Sequence, residues 1–467
     1  MSRKKQLPIL ENLEIIGVTA EGKSVAKPNG QVVFVKHAVP GDVADIQITR
    51  KKRSYLEGRP VKYHLFSDDR VEPFCEHFGI CGGCKWQHLN YEKQLHYKQE
   101  QVTEQFERIA KIELPEIRQI IPADKTKFYR NKLEFTFSNK KWLTEEEIKQ
   151  DKIFERNALG FHVPGRFDSV LGINKCWLQP EPSNKIRLEV KKYALENHLS
   201  FYDIRKHEGF LRNLIVRTAS TDDVMVVLCF GKEMKQEREK LLIHLAEKFP
   251  EITSLMYVIN PKKNDTIYDL DVRLFEGNDH IIEIIEDLKF KIGPKSFFQT
   301  NTTQAIKLYQ TVKEFAMLKG DETVYDLYSG IGTITNFIAK NAKKVIGIES
   351  VPEAVENAKE NASINNIKNT YFFAGDIKDT LTDNFVKKHG KPGIVITDPP
   401  RAGMHKNAVK QLLNILAEKI IYVSCNPATQ ARDVSMLCEK YTVKKTQPVD
   451  MFPHTHHIEN VLLLEKK

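Results

Sequence analysis

Two short apolar runs, Ile394-Val395-Ile396-Thr397 and Ile420-Ile421-Tyr422-Val423, break off at chemically loaded tips, Asp398-Pro399-Pro400-Arg401 and Ser424-Cys425-Asn426-Pro427. Unbroken apolar runs of this length, bounded by helix breakers, predict strands buried on both faces. They belong to a series. From about residue 305 onward, strand-like runs at 323–327, 344–348, 370–374, 394–397, 420–423 and 460–464 alternate with segments of helical period. That alternation predicts a doubly wound, Rossmann-like α/β sheet whose ligands sit beyond the carboxyl ends of its strands.

The pattern upstream is different. Residues 8–66 hold short runs broken by Gly and Pro, among them 13–17, Gln31-Val32-Val33-Phe34-Val35 and 45–49. Short strands at regular spacing, with turn residues between them, predict a small β-barrel of a kind that often holds nucleic acid. A polar, helix-favouring stretch follows at 91–110. Residues 127–300 mix strand-like runs (133–138, 214–219, 224–230) with helical ones (182–198, 235–248), which predicts an α+β region. The expected organisation is a barrel at 1–66, a central α+β domain at 67–300 and a catalytic sheet at 301–467.

Of the 467 residues 41% are hydrophobic and 28% charged, the balance of an ordinary soluble globular protein. No run of about 18 apolar residues appears, and Met1-Ser2-Arg3-Lys4-Lys5 leads into no apolar signal core. A cytoplasmic protein with no membrane association is expected, and no protein partner is implied. Residues 1–62 carry 12 Lys/Arg against 6 Asp/Glu, so +6 of the net +9 lies there. A basic amino-terminal module suits a polyanion such as RNA, because neutralised phosphates release counterions; a solvated basic face would have the same composition. Seven cysteines are too few and too unevenly placed for a disulfide scaffold. Cys229, in an apolar run, and Cys438, in a helical pattern, are expected as buried core thiols.

The strand tips carry the chemistry. The run at 323–327 leads into Asp326-Leu327-Tyr328-Ser329-Gly330-Ile331-Gly332, where glycines let the backbone approach a ligand ahead of a helix. The third glycine of the dinucleotide fingerprint is missing, so pyrophosphate is a poor fit. The next two tips end in Glu349, placed for ribose hydroxyls, and Asp376. In this order the three tips resemble the S-adenosylmethionine pocket of Rossmann-like methyltransferases. Amino-group methylating enzymes end a similar tetrapeptide in an aromatic that stacks on the base; here Arg401 stands in that place. Cys425 offers another route. Carbon 5 of uracil is too electron-poor to attack a methylsulfonium, and a thiolate adding to carbon 6 makes it nucleophilic. A base must then remove the carbon 5 proton. Cys425 precedes Asn426-Pro427 and a helical run, so the helix dipole is expected to lower its pKa. Glu459, closing Phe452-Pro453-His454-Thr455-His456-His457-Ile458-Glu459, is the expected base. His454, His456, His457 and Glu459 could instead hold a metal, although their spacing is not that of a helical His-x-x-x-His pair.

Asp398-Pro-Pro-Arg401, Ser424-Cys-Asn-Pro427 and His454-Thr-His-His-Ile-Glu459 together resemble the motifs of the RNA 5-methyluridine methyltransferase family. Ser296-Phe297-Phe298-Gln299-Thr300-Asn301 is similar to the family's segment that brings a glutamine to the cofactor. The amino-terminal barrel resembles a TRAM domain, an OB-like barrel, so the resemblance spans essentially the whole chain. It implies Cys425 as nucleophile and Glu459 as proton acceptor. It also implies S-adenosylmethionine contacts from Gln299, Tyr328, Glu349 and Asp398, with Asp376 added as in some members. Asp398 would further orient the uracil. Thr333 stands where some members carry asparagine.

Cys75-x5-Cys81-x2-Cys84, with Gly82-Gly83 between, is a tight thiolate loop, which in a reducing compartment points to metal rather than disulfide. Zinc would take His77 or His88 as a further ligand. An iron–sulfur cluster would take Cys176, which stands between Lys175 and Trp177. The run Cys81 to His88 is similar to the four-iron, four-sulfur ([4Fe-4S]) segment of the 23S rRNA branch of the family, implying a cluster on Cys75, Cys81, Cys84 and Cys176. Methyl transfer needs no electron, so a structural or RNA-binding role is expected. The function expected is S-adenosylmethionine-dependent methylation of carbon 5 of a uridine in 23S rRNA. Its rivals are action on tRNA, methylation of an exocyclic amine, and a non-catalytic RNA-binding iron–sulfur protein.

Overall fold

The computed structural model describes residues 7–112, 114, 115, 117–150 and 154–467. Arg3, Lys4 and Lys5 of the basic amino-terminal run lie outside the described residues. The first sheet has six strands in the order Ile9–Glu14, Val43–Lys51, Tyr55–Leu65, Val32–Val35, Ser24–Ala26, Gly17–Val18. Its two outermost strands are consecutive in the chain. Between them, the Ile15 N–H donates to the Asp42 carbonyl (2.9 Å) and the Ile16 N–H to the Val25 carbonyl (2.8 Å). Neighbouring residues therefore bond to opposite edges of the sheet and close it into a barrel. Alternate residues such as Val33, Val35, Ala44, Ile46 and Ile48 fill its interior.

The central sheet has seven strands, in the order Arg273–Gly277, Ser254–Ile259, Val224–Phe230, Leu211–Thr218, Lys132–Ser138, Ala158–Val163, Arg166–Gly172. Every residue of Val224–Phe230 is buried, which is why that strand reads as unbroken apolar sequence. One face packs beneath helices Ser183–Glu196 and Lys235–Lys248, through Ile186, Val190, Leu241 and Leu245. On the other face, Ile215, Met225, Val227 and Met256 share a single core with helix Thr302–Ala316 and with Val324 and Ile394 of the catalytic sheet. The central and catalytic regions are thus welded by apolar packing across residue 300.

The catalytic sheet comprises β1 (Thr323–Leu327), β2 (Lys344–Glu349), β3 (Thr370–Ala374), β4 (Ile394–Thr397), β5 (Lys419–Ser424), β6 (Tyr441–Val449) and β7 (Glu459–Lys466). Their order is β3-β2-β1-β4-β5-β7-β6, with β7 antiparallel between β5 and β6. The order reverses at β1 and β4, which opens a crevice beyond their carboxyl ends. Strand β6 has no counterpart in the sequence pattern. It is an edge strand with a bulge between Val443 and Lys445, and it carries Pro448 near its end. Cys229 is buried as expected; Cys438 is not, and caps helix Pro427–Leu437 half-buried. Among the described residues no helix is long and apolar enough to cross a membrane.

Helix Tyr91–Gln105 precedes the central sheet in sequence yet packs on the catalytic one. It buries Val102 there, with Phe106 just beyond its end, beside Val434, Leu437 and Ile420. Burying each of these two side chains contributes about 1.5–3 kcal/mol. From the same helix, the fully buried Lys98 ammonium donates to Asp450 (2.6 Å) and to the Phe452 carbonyl (3.0 Å). The Tyr91 hydroxyl donates to the other oxygen of Asp450 (2.7 Å). A buried ion pair adds little over apolar packing, but removing one partner strands a charge. Lys98→Met is therefore expected to destabilise the protein by about 3–5 kcal/mol, and adding Asp450→Asn should recover part of that loss. Thermal unfolding of the single and double variants checks it; a double variant no more stable than Lys98→Met would contradict this account.

Candidate active site

The strand tips expected to carry chemistry converge on one cleft of about 810 Å³. Its wall includes Gln299, Tyr328, Glu349, Asp376, Asp398, Cys425 and Glu459, every cofactor and catalytic candidate drawn from the sequence. The turn after β1 is tightly wound: Tyr328, Gly330 and Gly332 all have positive φ (66°, 54° and 78°). A Cβ added at Gly332 would press tightly on Ala358, Asn336 and Phe372 (3.0–3.1 Å), whereas one at Gly330 would project into open space. The Gly330 position is thus a cradle with room for a ligand against the backbone. Gly330 also donates its N–H to Glu349 (3.0 Å), fixing the β2 carboxylate over the turn. Asp376 is exposed at the rim and paired with Lys378 (2.7 Å), which holds its pKa below the usual range. Thr333, in place of asparagine, accepts a hydrogen bond from the Tyr309 hydroxyl (3.4 Å).

The two reactive tips are bolted together. The Asn426 amide (3.1 Å) and the Thr429 hydroxyl (3.2 Å) both donate to the Arg401 carbonyl. Asn426 caps helix Pro427–Leu437, so Cys425 does stand at a helix amino terminus. Its pKa is nevertheless not lowered. Burial, then the carboxylates of Glu459 and Asp398, push the thiol up to about 12, against a smaller opposing pull from Arg401. Burial raises Asp398 to about 7, and burial together with Asp398 raises Glu459 well above the carboxylate range. Asp326, fully buried beneath the turn, is also raised to about 7 by burial. One of its oxygens accepts from Thr335 (2.5 Å), and the other, like the Ser329 hydroxyl, has no partner. A cleft lined by acids that resist ionisation suits a ligand bearing positive charge, such as a sulfonium.

The segment ahead of Glu459 is held from every side. Gln94 accepts the His454 N–H (2.8 Å), Lys85 and Trp86 donate to the His454 carbonyl (2.8 and 3.0 Å), and Tyr129 donates to the Pro453 carbonyl (3.0 Å). The barrel reaches it too. Lys85 and the Trp86 indole donate to the carbonyls of Glu21 and Gly22, and a Cβ on Gly22 would lie 2.9 Å from the His456 Cβ. Burial lowers the pKa of His454, His456 and His457 to about 4, 3 and 4, so these rings are neutral. Among the described residues no three His, Cys, Asp or Glu side chains converge on a point that could hold a metal ion, which removes support for a histidine metal site. Sequence reading missed Asp450, Lys98 and Phe452, which lines the cleft. Single residues in a loop or polar helix leave no periodic signal.

Nor, among the described residues, do the side chains of the thiol loop converge on a point that could hold a single ion. All four cysteines there are free. Cys84 feels the charges of Cys81, Cys176 and Cys75, and burial pushes it up to about 12. Cys81, Cys84 and Cys176 belong to one apolar cluster. Both histidines that could serve as zinc's fourth ligand are engaged: His77 Nε2 accepts the Asn174 N–H (2.9 Å), and His88 Nε2 donates to the Ala38 carbonyl (3.2 Å).

Comparison with known proteins agrees with this geometry. Residues 203–467 match the tRNA (uracil-5-)-methyltransferase family, and residues 12–61 match the TRAM domain. An uncharacterized RNA methyltransferase of Bacteroides thetaiotaomicron is 58% identical over 96% of this chain and 100% of that protein. Another, from Porphyromonas gingivalis, is 51% identical over 97% and 99%. The solved tRNA (uracil-54, C5)-methyltransferase of Pyrococcus abyssi, in complex with S-adenosyl-L-homocysteine, is 28% identical. It covers 97% of this chain and 100% of its own, with a TM-score of 0.75. The chain belongs to the tRNA (uracil-5-)-methyltransferase family of S-adenosylmethionine-dependent RNA methyltransferases, with a TRAM domain at its amino-terminal end.

Proposed function

We propose that this protein methylates carbon 5 of a uridine in RNA through a covalent Cys425 adduct, with Glu459 as the base that completes turnover. The observation that carries this reading is that Cys425, Glu459 and Asp398, from three separate stretches of chain, line one cleft within reach of each other's charge. S-adenosylmethionine, when bound there, supplies a methyl group on a sulfonium. Gln299, Tyr328, Glu349 and Asp376 are the residues that would hold it, beside the open backbone at Gly330. The target uridine is flipped out of its stack to reach the cleft. The Cys425 thiol first loses its proton to solvent; the thiolate then bonds to carbon 6, and the ring electrons move to an enolate that makes carbon 5 nucleophilic. Once carbon 5 carries the methyl group, Glu459 takes its proton and the Cys425–carbon 6 bond breaks, restoring the aromatic ring and the thiolate. A raised pKa makes Glu459 a stronger base for that step. Asp398 orients the uracil.

The 23S rRNA reading is supported by the thiol loop, whose sequence resembles the segment of the rRNA branch. The tRNA reading is favoured by the Pyrococcus abyssi enzyme, which aligns over nearly all of this chain. Mapping 5-methyluridine in rRNA and tRNA from cells lacking the gene decides between them. For the loop we favour a [4Fe-4S] cluster on Cys75, Cys81, Cys84 and Cys176. Those four thiolates would hold the cluster without all having to meet at one ion, as zinc would require.

With ordinary RNA substrate, Glu459→Gln should accumulate a protein–RNA adduct, because addition and methyl transfer proceed while elimination stalls. Cys425→Ala should form no adduct with 5-fluorouridine RNA and no methyluridine. Denaturing gels and mass spectrometry of digested RNA check both, and methylation surviving Cys425→Ala would end the nucleophile assignment. The free thiol, with its pKa near 12, should react with iodoacetamide about tenfold faster per pH unit through pH 9. Asp398→Asn removes a negative neighbour, lowers the thiol pKa and should speed alkylation at pH 8; a wild-type plateau below pH 8 would contradict this. Anaerobically purified protein should contain about four irons and four sulfides per chain, lost in Cys176→Ala and retained in Cys229→Ala. One zinc and no iron would overturn the cluster.

A further inference from the structure

The cysteine segments carry a set of cations that the chemistry of the cleft does not use. Phe74, next to Cys75, packs edge-on against Trp177, next to Cys176 (ring centroids 5.9 Å), and Phe128 also packs against Trp177 (5.6 Å). Lys127 lies over the rings of Phe74 (4.1 Å) and Trp177 (5.2 Å), and Lys175 over Trp177 (3.8 Å). Neither lysine has a carboxylate partner among the described residues. Two nearby acids are engaged elsewhere: Asp124 on Lys307, and Glu181 on Asn184 and the Lys185 N–H. Aromatic faces therefore hold two ammonium groups in place while leaving their charge unneutralised. Phe128 is 37% exposed and has φ +55°, an unusual backbone state for a bulky residue.

This surface is continuous with the catalytic cleft. Two residues beyond Phe128, the Arg130 guanidinium lies 4.9 Å from the centre of the Phe452 ring, which lines the cleft beside Cys425. Phe74 in turn meets His454 edge-on at 5.0 Å. Fixed cations interleaved with an exposed ring fit a single-stranded polyanion with aromatic bases, because phosphates neutralise the charges and a base stacks on the ring.

We propose that Lys175, Lys127 and Phe128 form the entry track for the RNA strand flanking the target uridine, the lysines gripping successive phosphates and Phe128 stacking on one base. The track rests on the reading of RNA as substrate but not on which RNA, nor on the Cys425 chemistry. If the thiols hold a cluster, fixing Cys75 and Cys176 also fixes the adjoining Phe74 and Trp177, on which the lysines rest.

Fluorescence anisotropy of full-length protein with a labelled twelve-nucleotide oligouridylate, titrated with salt, tests the track. Each phosphate contact to a single strand adds about 0.7 to the slope of log affinity against log salt. The Lys127→Met/Lys175→Met double variant should therefore lose about 1.4 of that slope, while Lys127→Arg/Lys175→Arg keeps it. Phe128→Ala should weaken binding by about tenfold with the slope unchanged. An unchanged slope in the methionine variant overturns the phosphate grip, and unchanged affinity in Phe128→Ala overturns the stacking. Iodoacetamide labelling of Cys425 at the wild-type rate reports that each variant has folded. Failure of the methylation reading would show separately, as wild-type protein that leaves no methyl on carbon 5 of any uridine.

Discussion

Everything chemical in this protein depends on the short segment from Asp450 to Glu459 staying where it is. The barrel, the amino-terminal helix, the central region and the catalytic sheet all hold it. Lys98 and Tyr91 grip Asp450, Gln94 and Trp86 grip His454, Tyr129 grips Pro453, and Asn301 donates to Met451. Most of these partners are buried, so each hydrogen bond lost strands a group at a cost of about 1–3 kcal/mol. A segment over-determined in this way can keep a carboxylate beside a thiol although their charges oppose each other. The barrel's turn at Gly22, wedged against His456, makes the TRAM domain part of this scaffold as well as a candidate RNA-binding module.

That opposition governs the state of the site. Three acids and a thiol share a buried cleft, and burial disfavours the charged form of every one of them. In isolation the cleft keeps few charges and the nucleophile stays protonated. A cationic ligand is what such a cleft lacks, since one positive charge stabilises the ionised forms of all these groups together. The arrangement thus couples readiness of the thiol to occupancy of the pocket. On the proposed reading, a thiol that stays protonated until a methyl donor is bound would also be protected from adventitious alkylation and oxidation.

How much of this was legible in sequence follows from the range of each interaction. The tips at Glu349, Asp376, Asp398 and Cys425 could be read because a strand, its stop and its terminal residue are local, and the crevice position follows from topology. Glu459 could be read through its motif and its place before a final apolar strand. The sign of the Cys425 shift could not. The helix behind it is visible in sequence and is worth about 0.3–1 kcal/mol when exposed, whereas Asp398 and Glu459 become its neighbours only through folding. Two nearby charges and burial outweigh one helix end. The stretch at 91–110 was legible as helix-favouring, but its partner was not, because a polar helix shows too weak an apolar stripe to say which face is buried, let alone against what. The Lys98–Asp450 pair joins positions 352 residues apart and left no trace at all.

On the proposed reading, the thiol loop would govern the substrate without taking part in the chemistry. Its cysteines lie in chain segments whose next residues, Phe74 and Trp177, are the rings on which Lys127 and Lys175 rest. Loops are ordinarily the least constrained parts of a fold, and a cation on a loose loop loses much of its attraction for phosphate to the entropy of ordering it. Cross-linking the two segments through four sulfurs would pre-order both, so the strand would meet charges already in position. A cluster in a methyltransferase then needs no redox role to be worth keeping: it would act as a rivet for the surface over which the RNA reaches Cys425.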